Sequence, residues 1–388
     1  VKPANSVLSS YGTTIFEVMS GLAQQYGAVN LGQGTPEGLE PQDIIDCAAR
    51  HMTSGPHQYP SMFGVPELRQ AIAAHDQAYY GLDLDWRSEV MITSGATEAL
   101  ADCLFGLIEP GDEVVLFEPL YDSYLPIIRR AGGIPKLVRL APPEWAIPDQ
   151  ELAAAFSDRT KLVVINTPAN PCAKVFTRAE LTRIAELATA HDAIVLCDEV
   201  YEHLVFDGLE HVPVMTLPGM RERCVRIGSF GKVFSITNWK VGYIVASPLL
   251  MQAIAKTHQF ITFTTPAATQ QAVAWGLQNR DDYVRGLAAQ LSVRRDQLSA
   301  GLAGLGFRPL VAQGTYFLSA DFSALSTLPD SEFCQYLVRE VGVATVPISA
   351  FYVDRPGLEV PRSTIRFCFA KTPQAIDTAL ERLAKLRV

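Results

Sequence analysis

Between residues 89 and 247 the chain alternates short, continuous apolar runs with longer stretches whose apolar residues recur every three or four positions. The short runs are rich in β-branched residues and predict strands at Glu89–Thr93, Glu113–Phe117, Leu162–Asn166, Ala193–Cys197, Cys224–Ile227 and Val241–Ala246. The stretches between them, such as ATEALADCLFGLIE and TRAELTRIAELATAH, carry the helical period. Pro110 and Gly111 stop the first, and Thr177 opens the second as an N-cap. Strands and helices in alternation predict an α/β unit, a parallel sheet covered by helices on both faces. After about residue 275 the order changes to a long helix, strands in TYFLSAD and IRFCFA, and a closing helix, TPQAIDTALERLAKL. This predicts a smaller α+β unit that the N-terminal segment joins.

Composition narrows the function classes. With 388 residues, 48% hydrophobic and 19% charged, the chain suffices for a large core and two domains. A net charge of −9 argues against nucleic acid or an anionic membrane as the main partner. The seven cysteines, at 47, 103, 172, 197, 224, 334 and 368, form no CxxC pair and no Cys/His spacing of a metal site, which predicts reduced thiols in a cytoplasm. The opening VKPANSVLSSYGTTIFEVMSGLAQQ lacks the basic start, apolar run and cleavage site of a secretory signal, and no uncharged apolar stretch approaches membrane-spanning length.

In open parallel sheets, ligands sit beyond the carboxyl ends of the strands. The residues there are SGAT (94–97), EPLYDSY (118–124), NTPANP (166–171), DEVY (198–201) and GSFGK (228–232). The last has the look of a nucleotide loop, yet Gly228 and Gly231 are too close together and Val233 replaces the Ser or Thr that would hold magnesium. Two other glycine repeats, GQGTPEG (32–38) and GLAGLG (301–306), also miss the dinucleotide fingerprint: the third glycine of one is late, and the other ends a helix. Asp198 closes an apolar strand, where a carboxylate is costly unless a cation or strong donors meet it. Taken alone it caps the next helix, as SGAT alone caps its own. Lys232 closes a later strand, and a lysine becomes a covalent catalyst when it condenses with a carbonyl. A strand-end Asp, a strand-end Lys, the aromatic Tyr201 and an anion-binding turn together match what pyridoxal phosphate requires. The Asp keeps the ring nitrogen protonated, and the Lys carries the aldehyde carbon.

The chain resembles the fold-type I, pyridoxal-phosphate-dependent aminotransferases of class I/II, and most of all their kynurenine/glutamine/methionine branch. The resemblance rests on GTTIFEVMSGLA, VNLGQGTPEG, HQYPSMFGVPELRQAIA, SGATEAL, NTPANPCAKVF, CDEVYEHLVFD, IGSFGKVFSITNWKVGY, QGTYFL and IRFCFAK, in that order nearly end to end. It implies a large domain over 44–279, with a mostly parallel seven-stranded sheet between helices, and a small α+β domain of 1–43 with 280–388. It further implies that Lys232, Asp198 and Tyr201 are catalytic: Lys232 forms the Schiff base and shuttles the proton, Asp198 pairs with the ring nitrogen, and Tyr201 and Asn170 bind the ring oxygen. Tyr121 stacks on the ring, while Gly95, Ala96, Thr97, Ser229 and Lys240 line the phosphate. Tyr59 matches the tyrosine that reaches the neighbouring subunit's phosphate, which implies a homodimer with shared active sites. Gly34, Asn170 and Arg366 bind the substrate, with Arg366 gripping its α-carboxylate.

The implied activity is ping-pong transfer of the amino group of methionine, glutamine or an aromatic amino acid to a 2-oxo acid. β-Elimination from cysteine S-conjugates on the same site and a non-catalytic cofactor-binding regulator are the alternatives. Three departures stand out. Asn238 occupies the glycine position of TGWK, Cys172 and Ala173 stand where NPTG or NPLG is common, and Thr35–Gly38 replaces FPDF close to where side chains are selected.

Overall fold

In the computed structural model, which describes residues 2–386, seven strands form one sheet. Across it they run Val90–Ser94, Val241–Ala246, Cys224–Ser229, Ile194–Asp198, Thr160–Asn166, Glu113–Glu118 and Ile134–Arg139. Every strand expected from an apolar run is present, with ends displaced by two residues at most. Consecutive residues of a strand point to opposite faces, and in these strands consecutive residues such as Val114, Val115 and Leu116, or Val195, Leu196 and Cys197, are all buried. Both faces are therefore covered, and the runs are continuous for that reason. The strand without such a signal, Ile134–Arg139, pairs only with Glu113–Glu118 and is partly exposed along most of its length. Its sequence IPKLVR carries the proline and lysine that an edge tolerates and a central strand does not.

The sheet is mostly parallel, as the resemblance implied, and one strand in it is reversed. Val241–Ala246 runs antiparallel to both of its neighbours. Residues 230–240, which connect it to Cys224–Ser229, hold one helical turn, Phe230–Val233, and a 3₁₀ turn, Thr237–Trp239. That is too little chain for the crossover a parallel return needs. The reversal has a consequence for function: Gly242 pairs with Ser229, so this strand begins at the edge where the parallel strands end.

The helices also follow the sequence pattern. Gly95–Leu107 starts directly at the end of the first strand, and Thr177 closes a capping box with Glu180 at the head of Arg178–Ala190. Beyond the long helix Asp281–Gly304, a four-stranded antiparallel sheet runs Val346–Pro347, Thr364–Cys368, Phe317–Asp321 and Arg308–Pro309. The short strand Val29–Asn30 pairs in parallel with Val343–Ala344, and the amide of Cys368 donates to the carbonyl of Leu31. The N-terminal segment is thus laid against the C-terminal third of the chain. Val1 and residues 387–388, which the expected small domain includes, lie outside the described residues.

Candidate active site

The carboxyl ends of the central strands open into a cavity of about 240 Å³. Gly34, Gly95, Ala96, Thr97, Tyr121, Asn170, Asp198, Tyr201, Ser229, Lys232, Lys240 and Arg366 all line it. Of the residues singled out in the sequence, Tyr59 alone lies elsewhere. It is 83% exposed, with its ring edge on Phe263 at 5.7 Å.

Asp198 ends its strand deep in the cavity. Tyr124 donates a 2.6 Å hydrogen bond to its Oδ2, whereas Oδ1 is buried without a partner. Burial raises the carboxyl to about 6, against the opposing pull of the Tyr124 hydroxyl, the Val200 amide and the Lys232 charge. A partnerless buried oxygen on an acceptor carboxylate suits a donor brought by a ligand, and a protonated ring nitrogen would be such a donor.

Lys232 departs slightly from expectation: it sits on the helical turn Phe230–Val233 that follows the strand, not on the strand end itself. Its Nζ donates to the hydroxyl of Tyr316 at 2.8 Å and lies 5.8 Å from the centroid of the Tyr201 ring. Its apolar surroundings lower the ammonium to about 8, so a useful fraction is neutral amine near physiological pH. Tyr201 is itself buried and packs edge-on against Tyr316 at 5.2 Å.

The anion-binding end is built from two starts. The helix Gly95–Leu107 presents its first turn, and the reversed strand brings Lys240 to the same place. Gly95 has φ of 70°, and a Cβ there would meet Lys240 Cε and Nζ at 3.2 Å, so only glycine leaves the lysine its position. The positive φ in the turn before the reversed strand falls on Ser235 and Lys240, not on Asn238, which explains why asparagine replaces glycine there without distortion. Glu98 holds this first turn by accepting from the Ser94 amide, and its other oxygen meets His258 Nδ1 at 2.7 Å. The other ring nitrogen, Nε2, faces the Met62 carbonyl at 2.9 Å. With acceptors at both nitrogens His258 is an imidazolium; burial opposes that charge, but Asp102 and Glu98 raise its pKa to about 10.

At the opposite wall, Arg366 is fully buried. It donates to Asn170 Oδ1 and to the Gly32 carbonyl, each at 2.7 Å, and its guanidinium lies 3.8 Å from the Phe317 ring centroid. Its Nε has no partner, and among the described residues it forms no ion pair. Burial lowers the guanidinium to about 10. A buried, planar cation with no carboxylate paired to it suits a ligand that brings one. Gly34 is a glycine for a packing reason: a Cβ would meet Phe317 Cζ at 2.8 Å and Tyr316 Cε2 at 3.2 Å.

Behind Asp198 the adjoining strand carries Arg226, fully buried and bound by Asp76, by Glu199 at 2.6 Å and by Glu202 at 2.9 Å. Tyr80 and Tyr243 also donate to Glu202. This cluster fixes residues 198–202, and with them both Asp198 and Tyr201. Sequence reasoning did not single out Tyr124, Tyr316, Phe16 or Phe317, although each stands inside a quoted motif. The phenols at 124 and 316 gave no signal of their own, because contacts to Asp198 and Lys232 arise across 74 and 84 residues.

The chain is similar to known proteins along nearly its whole length. The family described as Aminotransferase class I and II matches residues 26–383. Methionine aminotransferase of Escherichia coli (strain K12) is 42% identical over 381 residues, covering 98% of this chain and 98% of that protein. Kynurenine–oxoglutarate transaminase of Dictyostelium discoideum is 38% identical over 422 residues, covering 100% and 97%. The solved structure of N-succinyldiaminopimelate aminotransferase from Mycobacterium tuberculosis superposes with a TM-score of 0.96 at 41% identity, over 99% of this chain and 100% of that one.

Proposed function

The chain belongs to the class I and II aminotransferases and is an α/β aminotransferase of fold type I, and from that premise we propose that it binds pyridoxal 5′-phosphate in the cavity at Asp198 and Lys232. The observation that carries the proposal is the partnerless, buried Oδ1 of Asp198 in the same cavity as a lysine whose amine is easily freed of its proton. In this reading Asp198 holds the ring nitrogen, Tyr201 and Asn170 the ring oxygen, and Tyr121 a ring face. Gly95, Ala96, Thr97, Ser229 and Lys240 hold the phosphate. Bound there, the cofactor supplies an aldehyde carbon and an electron-withdrawing ring that makes the substrate α-hydrogen acidic.

The chain's own residues do the rest. Arg366 receives the α-carboxylate of the amino donor, displacing nothing charged, and turns the α-hydrogen toward Lys232. The neutral amine of Lys232 takes that proton and later returns it elsewhere on the same framework. Buried aromatic walls exclude water from the proton in transit. A water supplies the carbonyl oxygen as the donor leaves as a 2-oxo acid, and the nitrogen it leaves behind in the site would pass to a second oxo acid that docks on the same carboxylate anchor, a ping-pong order.

Methionine, glutamine or an aromatic amino acid is the proposed donor. Phe16, Tyr121 and Phe317 give the cavity apolar walls, and among the described residues its lining cations are Lys232, Lys240 and Arg366, all assigned to the cofactor or the α-carboxylate. The names of the E. coli and Dictyostelium relatives support the same class. The proposal includes a homodimer with shared sites, supported by the exposure of Tyr59, Phe260 and Phe263. It includes the division into units of 44–279 and of 1–43 with 280–388, and a cytoplasmic location, for which seven buried free cysteines are support.

Lys232→Ala is the test. It is expected to lose turnover together with the visible absorbance that borohydride abolishes in the parent. Turnover at the parental rate in that variant overturns the proposal. A panel of amino donors against one oxo acid then ranks the substrate class.

A further inference from the structure

Tyr316 belongs to the strand-bearing C-terminal third of the chain, yet its hydroxyl stands 2.8 Å from the nitrogen of Lys232. The hydroxyl has one hydrogen and gives it to the carbonyl of Gly34, also at 2.8 Å. Toward Lys232 it therefore has only lone pairs to offer, so the amine donates and the phenol accepts. The ring cannot move away from this arrangement. It is 1% exposed, wedged edge-on between Tyr201 at 5.2 Å and Phe317 at 4.8 Å, and Gly34 lacks the Cβ that would collide with it.

The placement matters because an amine that is to take a proton must keep its lone pair free. A neighbour that donated to Lys232 would occupy that lone pair and block it. A neighbour that accepts occupies an N–H instead, and limits the rotation of the nitrogen about its last carbon. The same backbone stretch joins this acceptor to the carboxylate anchor: Gly34 takes the hydrogen of Tyr316, and Gly32, two residues earlier, takes one from Arg366. The base and the substrate grip are thus referenced to one short segment.

We propose that Tyr316 is a positioning residue for proton transfer, holding the amine of Lys232 by accepting one of its N–H bonds so that the nitrogen lone pair is left for the α-hydrogen of the substrate. The assignment rests on the reading of Lys232 given above. It adds an element that the reading does not need, since the lysine serves as a base with or without a fixed orientation.

The test is Tyr316→Phe, which removes one oxygen and keeps the ring. In the loaded enzyme, KM for the amino donor stays within about threefold while kcat falls about 10–100-fold, the range of one charge-assisted hydrogen bond. The kinetic isotope effect with an α-deuterated donor rises, because proton abstraction becomes the slow step. In the cofactor-free protein, competitive acetylation across pH followed by mass spectrometry reads Lys232 alone. Loss of an acceptor disfavours the ammonium, so the midpoint of labelling moves to lower pH. Tyr316→Met, similar in bulk and without a hydroxyl, is read by the same criteria should the phenylalanine variant not fold. A folded variant with parental isotope effect and parental labelling midpoint overturns the proposal and reduces Tyr316 to packing. Failure of the underlying reading looks different, since Lys232→Ala would then turn over normally whatever Tyr316 does.

Discussion

Tyr124 donates its phenolic hydrogen to one oxygen of Asp198 over 2.6 Å and so selects the other oxygen as the one open to a ligand. The bond is neutral-to-charged, made where neither group meets bulk water. Such a bond is worth about 1.5–3 kcal/mol.

Removing it has a definite pH signature. The folded pKa of Asp198, about 6, lies above its ordinary 3.8, so the folded cofactor-free protein binds the proton more tightly than the unfolded chain. Its contribution to stability is complete below pH 3.8 and is lost as pH rises through 6. Tyr124→Phe withdraws a group that opposes this shift. The loss is expected to extend to higher pH and to deepen at pH 7 by about 1 kcal/mol, measured by urea unfolding of the cofactor-free protein at pH 5 and pH 7.

Arg366→Lys keeps the charge and loses the fork. Asn170 and Gly32 now share a guanidinium stacked over Phe317, and a single ammonium cannot serve both while also meeting a carboxylate. The expected result is a fall in kcat/KM of about 100-fold, about 2–3 kcal/mol, for the amino donor and the oxo acid alike. Steady-state kinetics with each substrate varied in turn measures it; a loss confined to one of them contradicts a common anchor.

His258 carries the same sign of linkage over a higher pH range. Its folded pKa of about 10 exceeds the ordinary 6.5, so the stability it confers is complete below pH 6.5 and disappears as pH rises through 10. His258→Gln strands Glu98 and Asp102 without a cation and is expected to cost about 3 kcal/mol at pH 6.5. The difference between variant and parent should narrow steadily toward pH 10 in chemical denaturation.

How much of this was readable beforehand follows from burial. Six of the seven strands announced themselves because they are buried along most of their length and carry continuous apolar runs, while the edge strand Ile134–Arg139, partly exposed, carries Pro135 and Lys136 and stayed hidden. Asp198 and Lys232 were visible in combination, as a strand-end carboxylate and a strand-end lysine accompanied by Tyr201 and an anion-binding turn. Tyr124 and Tyr316 were not, because a phenol is an ordinary core residue until a particular charge is set against it, and that setting is made by the fold. The reversal of Val241–Ala246 follows from the length of its connection and not from its apolar pattern, which is the same in either direction.

Ala173 offers a check on backbone strain. It takes φ of 60° where glycine is common in the resembling sequences, and its carbonyl accepts from the Gln313 and Gly314 amides. A left-handed alanine costs about 1–2 kcal/mol, which offsets the usual penalty of replacing alanine by glycine. Ala173→Gly should therefore lie within about 0.5 kcal/mol of the parent, whereas Ala188→Gly, in the buried face of a regular helix, should cost about 1 kcal/mol or more. Thermal unfolding of the two variants side by side separates strain from chain flexibility.

The cavity draws Arg366 from a strand near the far end of the chain, whereas the residues facing it from the central sheet all fall between Gly95 and Lys240. A polypeptide emerging from the ribosome therefore completes the half proposed to face the cofactor well before the proposed carboxylate clamp exists. In the proposed reading, the α-carboxylate of a substrate has no guanidinium to meet until Thr364–Cys368 has been made and zipped onto Phe317–Asp321.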